Sequence, residues 1–149
     1  MWVVAWREED MYVAKEAATR ITSQGKTIEE AIRNLQEALE LYLEEAPDAL
    51  EALKQPGKDR DVADVVGGEI GELPRLSGRE TVKTLAIRLG FTVKGQRGRH
   101  VVLVKCAEAR KLVTVVPLNP ELKPGTLHGV LELAGISGEE FMEAYKEDC

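Results

Sequence analysis

Two histidines occur in the 149 residues, and one of them, His100, closes the stretch Lys94-Gly-Gln-Arg-Gly-Arg-His100 just before the apolar run Val101-Val-Leu-Val104. An imidazole with an ordinary pKa near 6.5 suits proton transfer at neutral pH. Lys94, Arg97 and Arg99 put positive charge close to it, and Gly98 removes the side chain that would keep an anion away from backbone amides. Metal-free cleavage of RNA needs these groups: a base for the 2′-hydroxyl proton, positive charge for the pentavalent phosphorane, and an acid for the leaving 5′-oxygen. The same residues also fit a plain hairpin loop, in which glycines set the turn and charges keep it in water. His128 falls off the apolar stripe of its own segment (Leu127, Val130, Leu131), an exposed position from which it would at most assist.

Other chemistries lack their residues. The chain has no Walker loop and no dinucleotide fingerprint, two histidines leave no Ser/His/Asp arrangement to assemble, and no carboxylates stand at metal-ligand spacing. Cys106 and Cys149 are far apart and read as ordinary thiols, so neither a metal nor a cofactor is expected. Phe91 is the only aromatic between residues 72 and 117, which favours recognition of phosphate and shape over base stacking. No run approaches the roughly 20 apolar residues of a membrane helix. The start MWVVAWREED turns acidic too early for a signal peptide, so a globular cytoplasmic protein is expected.

Charge is unevenly spread. Residues 1–71 hold eight Lys/Arg against sixteen Asp/Glu, residues 72–117 hold ten against three, and residues 118–149 hold two against seven. A basic block between acidic flanks fits an anion-binding face with its own acidic cover, and equally strand-edge lysines placed for solubility.

The elements that must position these residues fall into two groups. Trp2-Val-Val-Ala-Trp6, a turn at Glu8-Glu-Asp10, Met11-Tyr-Val-Ala-Lys15 and a short run around Thr19 to Thr22 predict three strands, with the tryptophans packing on one face. Thr27-Ile-Glu-Glu30 is a capping box opening a helix with Ile28, Ile32, Leu35, Leu39 and Leu43 on its apolar stripe. Residues 46–71 read as a connector containing a short helix (Asp48 to Lys54) and a strand (Val62 to Val66). Ser77-Gly-Arg-Glu80 caps a second helix ended by Gly90; strands Phe91 to Lys94, His100 to Cys106 and Leu112 to Val116 follow, then a helix carrying Leu127, Val130, Leu131 and Ala134, and a last turn capped by Ser137. The loops between those strands are read as Gly95 to Gly98 and Ala107 to Lys111. The runs VVLV and LVTVV are apolar on both alternating faces, so something must cover both sides of that sheet. The expected cover is the first group of elements, from the same chain or a second copy.

From Leu73 onward the sequence resembles the HicA family of toxin ribonucleases. The matching blocks are Leu73-Pro-Arg-Leu-Ser-Gly78, Leu89-Gly-Phe91, Gln96-Arg-Gly-Arg-His100, Val113-Thr-Val-Val-Pro117, Leu122-Lys-Pro-Gly-Thr-Leu127 and Ala134-Gly-Ile-Ser137. The segment Tyr12 to Glu45, above all from Ser23-Gln-Gly25 onward, is similar to the N-terminal module of HicB antitoxins. The resemblance implies an α+β chain: a β-β-β-α partial ribonuclease-H-like module over about residues 1–45, then an α-β-β-β-α module over 72–149 with a double-stranded-RNA-binding-domain-like fold. It implies a messenger-RNA endoribonuclease with His100 catalytic, Lys94, Arg97, Gly98, Arg99 and Lys123 on phosphate, and the first module as inhibitor. The rival is a catalytically inactive RNA-binding or interaction module, since the family has Gly-Ser-His where Gly98-Arg-His100 stands here. The partners implied are RNA and the chain's own first module, met within one chain or exchanged between copies. No segment after Glu45 resembles a DNA-binding domain.

Overall fold

Strands β1 (Val3–Glu8) and β2 (Met11–Glu16) form a hairpin whose turn, Glu9-Asp10, holds Glu9 at a φ of 55°. The computed structural model describes residues 1–54 and 73–147. The expected strand over 62–66 lies outside the described residues, as do Pro56-Gly57, Gly67-Gly68 and Cys149.

The third strand differs from expectation. Ala17 to Thr19 form a turn, and the strand lies later, as β3 (Thr22–Gly25), taking in Ser23-Gln-Gly25. The cause is Glu16, a buried carboxylate that takes the Ala18 and Thr19 amides and the Thr19 hydroxyl and so folds the chain back at that point. Helix α1 (Ile28–Glu45) then starts at Thr27, whose hydroxyl accepts from the Glu30 amide at 3.0 Å, and α2 (Ala49–Lys54) follows.

The second half opens with α3 (Gly78–Arg88), where Ser77 and Glu80 form the full reciprocal capping box. The strands β4 (Thr92–Arg97), β5 (His100–Ala107) and β6 (Arg110–Pro117) follow, then α4 (Pro124–Ala134) and α5 (Gly138–Glu147). The hairpin turns are tighter than the sequence suggested. Gly95, Gln96 and Arg97 belong to β4, the turn is only Gly98-Arg99, and a bulge after Val93 leaves Lys94 without a partner in the register. Likewise Glu108-Ala109 alone joins β5 to β6. Among the described residues the fold is therefore mixed α and β, with two three-stranded antiparallel sheets and five helices.

The double-sided apolar sheet is explained by two cores. Val101 and Leu103 point with Phe91, Val116, Leu85, Leu127 and Phe141 into a core closed by α3, α4 and α5. Val102 and Val104 point the other way, with Val113 and Val115, into a core built from Ala31, Leu35, Ala38 and Leu39 of α1 together with Ala14 and Ile21. Helix α1 is thus packed on β2 and β3 and, at the same time, on β4, β5 and β6. Leu35 and Leu39 of the expected stripe are buried, joined by Ala31, Ala38 and Leu41, while Ile28 at the stripe's start is 44% exposed. A helix seated between two sheets puts its small residues at the points of closest approach, which a single-sided stripe does not anticipate.

Leu35 is fully buried in this shared core. Leu35→Ala should cost about 2–5 kcal/mol. Urea unfolding should remain one transition, because α1 belongs to both halves. Two separated transitions would contradict a shared core.

Candidate active site and its cover

His100 begins β5 on the face that carries Val102 and Val104, so the strand period directs it toward α1. It is 1% exposed. Nε2 lies 2.8 Å from Ser23 Oγ on β3, and Nδ1 lies 2.8 Å from Glu37 Oε1 on α1. A carboxylate only accepts, so Nδ1 carries the hydrogen, and the neutral ring then takes the Ser23 hydroxyl hydrogen at Nε2. Ser23, His100 and Glu37 therefore do line up in a Ser–His–acid order, although the sequence offered no such arrangement. Its members are 77 and 63 positions apart in the chain and come together only through packing between the halves. The line does not make a nucleophile, because Ser23 and His100 are both sealed from solvent.

Burial pushes the His100 imidazole below its ordinary pKa, against the opposing hydrogen bond and charge of Glu37. The neighbouring turn is shaped for this contact. Gly98 has a φ of 55°, and a Cβ there would come within 2.6 Å of Glu37 Oε1.

The other expected residues divide into covered and free. Arg97 bonds Glu40 at 2.8 Å and Glu44 at 2.6 Å, so Glu37, Glu40 and Glu44 form one stripe of α1 facing the β4–β5 hairpin. Lys123 is 6% exposed and meets Asp10 at 2.9 Å, Glu121 at 3.3 Å and Glu9 at 3.7 Å. Lys94 and Arg99 are exposed, Lys94 in the bulge and Arg99 in the turn that leads into His100. His128 is half-buried on α4 rather than exposed, and both nitrogens of His100 are already taken by other groups. Cys106 is an exposed thiol. Among the described residues no group of three or more His, Cys, Asp or Glu is placed to hold a metal ion. No helix among them is long and apolar enough to cross a membrane.

Sequence reasoning missed Ser23, Gln24 and Glu37. Gln24 is fully buried and clamps the other half, donating to the Glu121 carbonyl and accepting from the Lys123 amide, both at 2.9 Å. Lys15, also buried, pairs with Glu132 at 2.8 Å, and Lys111 donates to the Glu45 carbonyl at 2.6 Å. That last bond satisfies the end of α1, whose own last turn holds no basic residue. An available signal was the spacing of Glu37, Glu40 and Glu44, which aligns three carboxylates on one helix face.

Fold and site together define an α-β-β-β-α-α domain, its last element a full helix where one capped turn was expected, with one buried, doubly bonded histidine covered by an acidic β-β-β-α companion in the same chain. Residues 78–136 match the family described as the HicA toxin of bacterial toxin-antitoxin, whose fold is double-stranded-RNA-binding-domain-like. This match supports the resemblance of the second half and spans His100 and Lys123. Residues 2–70 match a family of unknown function, a result that carries no antitoxin assignment. No curated protein and no solved structure matches the chain.

The lowered pKa of His100 fixes the sign of a pH effect. The unfolded chain binds a proton near pH 6.5 while the folded chain resists it, so this stability is full above that value and is lost as pH falls. Between pH 7 and 5.5 the urea midpoint should drop, with a slope of at most about 1.4 kcal/mol per pH unit from this group. His100→Gln should flatten that dependence. An unchanged slope in the variant would contradict the assignment.

Proposed function

We propose that the second half is a metal-independent endoribonuclease module of a toxin-antitoxin system, held inactive by the first half acting as a tethered, HicB-like antitoxin. The observation that carries this is His100: both ring nitrogens are occupied by Ser23 and Glu37, side chains of the covering half. A base whose lone pair takes the Ser23 hydroxyl hydrogen cannot take one from a 2′-hydroxyl. Arg97 is similarly engaged by Glu40 and Glu44, groups of the charge a phosphate would bring. In this reading residues 1–45 form the partial ribonuclease-H-like inhibitor, 46–71 the connector and 72–149 the toxin module. A short tether raises the effective concentration of the cover to about the millimolar range, so even a modest interface keeps it seated.

When the cover leaves, His100 gains water, loses the penalty that lowers its pKa, and becomes the base for the 2′-hydroxyl. Arg97, Arg99 and Lys94 on the hairpin, with the Gly98 backbone, hold the phosphate and its developing charge. Glu37 departs with the cover and takes no part. Arg99, where the family carries serine, favours a second reading in which the module binds RNA without cutting it.

Reversing Glu37, Glu40 and Glu44 to lysine in the full chain places cations against the hairpin. Each exposed pair is worth up to about 1 kcal/mol, so the open fraction, and with it cleavage of a labelled messenger RNA, should rise roughly 5–30-fold. The products should carry 2′,3′-cyclic phosphate ends, and adding His100→Ala should abolish them. Tight RNA binding by the triple variant with no cyclic phosphate would establish the second reading instead.

A further inference from the structure

The turn Glu8-Glu9-Asp10 does more than join two strands. Glu8 accepts the Gly125 amide at 3.1 Å at the start of α4, and its other oxygen accepts the Trp6 indole N–H at 2.8 Å. Asp10 and Glu9 meet Lys123, and Glu9 also meets Arg75. Glu121, from the second half itself, sits between the two cations at 3.3 Å from Lys123 and 3.0 Å from Arg75.

On the second half alone these groups make a site with an unmet need. Helix α4 has no side-chain cap and no acidic residue in its first turn, so its amides and positive end look outward. In the covered chain the Lys123 side chain is 7% accessible, enclosed by Asp10, Glu9 and Glu121. Thr126, in the same first turn, has a buried hydroxyl with no partner among the described residues. Glycine at 125 leaves room for the Glu8 carboxylate to reach the amide, since a Cβ there would displace it. A single carboxylate, Glu121, leaves two cations and a helix end under-neutralised. Three carboxylates from the covering half complete them, and carboxylates on a helix N-terminus beside lysine and arginine stand where phosphate oxygens bind.

The same strand of the cover touches this site and His100. Ser23 bonds His100, and the next residue of β3, Gln24, bonds the Lys123 amide, so one strand of the covering half contacts both places.

Resting on the reading of the second half as an RNA-binding module, we infer that Arg75, Lys123 and the Gly125 amide form a second phosphate subsite. It takes an RNA backbone phosphate other than the one at His100, and the Glu8-Glu9-Asp10 turn occupies it as a phosphate mimic while the cover is seated. The inhibitory half thus covers two phosphate positions, with the α1 stripe on one and the β1–β2 turn on the other.

The test uses the full chain and a labelled, uncleavable 2′-O-methyl RNA, so that binding is read independently of chemistry. Glu9 and Asp10 are exposed, with 52% and 82% of their side chains accessible, so Glu9→Gln with Asp10→Asn should fold as the parent does. This double variant should bind the RNA about tenfold more tightly, with the slope of log K on log salt steeper by roughly 0.7 per phosphate gained. Adding Lys123→Gln should remove both gains. Glu29→Gln with Glu139→Gln, an equal charge change at exposed positions elsewhere, should leave affinity near that of the parent. No gain in the first variant, a gain that survives Lys123→Gln, or an equal gain in the control would overturn the subsite. Binding that behaves as expected without cleavage of ordinary RNA would leave the subsite standing and remove only the ribonuclease reading.

Discussion

The sheet of β4, β5 and β6 carries apolar side chains on both faces. Val102, Val104, Val113 and Val115 form a continuous apolar surface on the side opposite α3, α4 and α5, and α1 with Ala14 and Ile21 is what covers it. Each buried valine is worth about 1.5–3 kcal/mol relative to exposure, so seating α1 is coupled to the stability of the whole second half. His100 starts the same strand on the same face, and the burial of that face sweeps it in. Packing therefore dictates occlusion, and the polar contacts settle how a titratable ring survives there.

An imidazole moved from water into this seam would be costly if either nitrogen were left alone. Ser23 and Glu37 meet both, one from β3 and one from α1. The surrounding charge follows the same logic: acidic groups of the first half face basic groups of the second at Arg97, Lys123, Arg75 and Lys111, while Lys15 and Glu132 run the other way. Exposed pairs of this kind add little individually and serve mainly to fix register and partner choice. Buried Gln24, bonded to two backbone groups of the other half, does so by shape.

Much of the fold was legible in the sequence because local chemistry agrees with it. Ser77 and Glu80 cap a helix where they should, Gly90 and Gly135 take positive φ at 80° and 70°, and the apolar runs at 101–104 and 112–116 demand two covered faces. Strand limits were less legible: Gly95, Gln96 and Arg97 look like loop residues but are paired in β4, since ladder hydrogen bonds to a long central strand outweigh weak intrinsic preference. For the site, His100 and the basic hairpin stood out by residue type. Ser23, Gln24, Glu37 and Arg75 did not, because each acquires its role from a residue at least 63 positions away. Lys94 and Arg99 stay exposed on the hairpin, in the bulge and the turn, while Arg97 is taken by Glu40 and Glu44.

The most direct measurement is long-range nitrogen NMR of the His100 ring in the intact chain, followed from pH 8 to 5. The account requires one tautomer, with hydrogen on Nδ1 and a lone pair on Nε2, slow exchange with water, and protonation only below the ordinary histidine range. A mixture of tautomers titrating near 6.5, as for an exposed histidine, would show that Ser23 and Glu37 do not hold the ring and that the first half is not its cover.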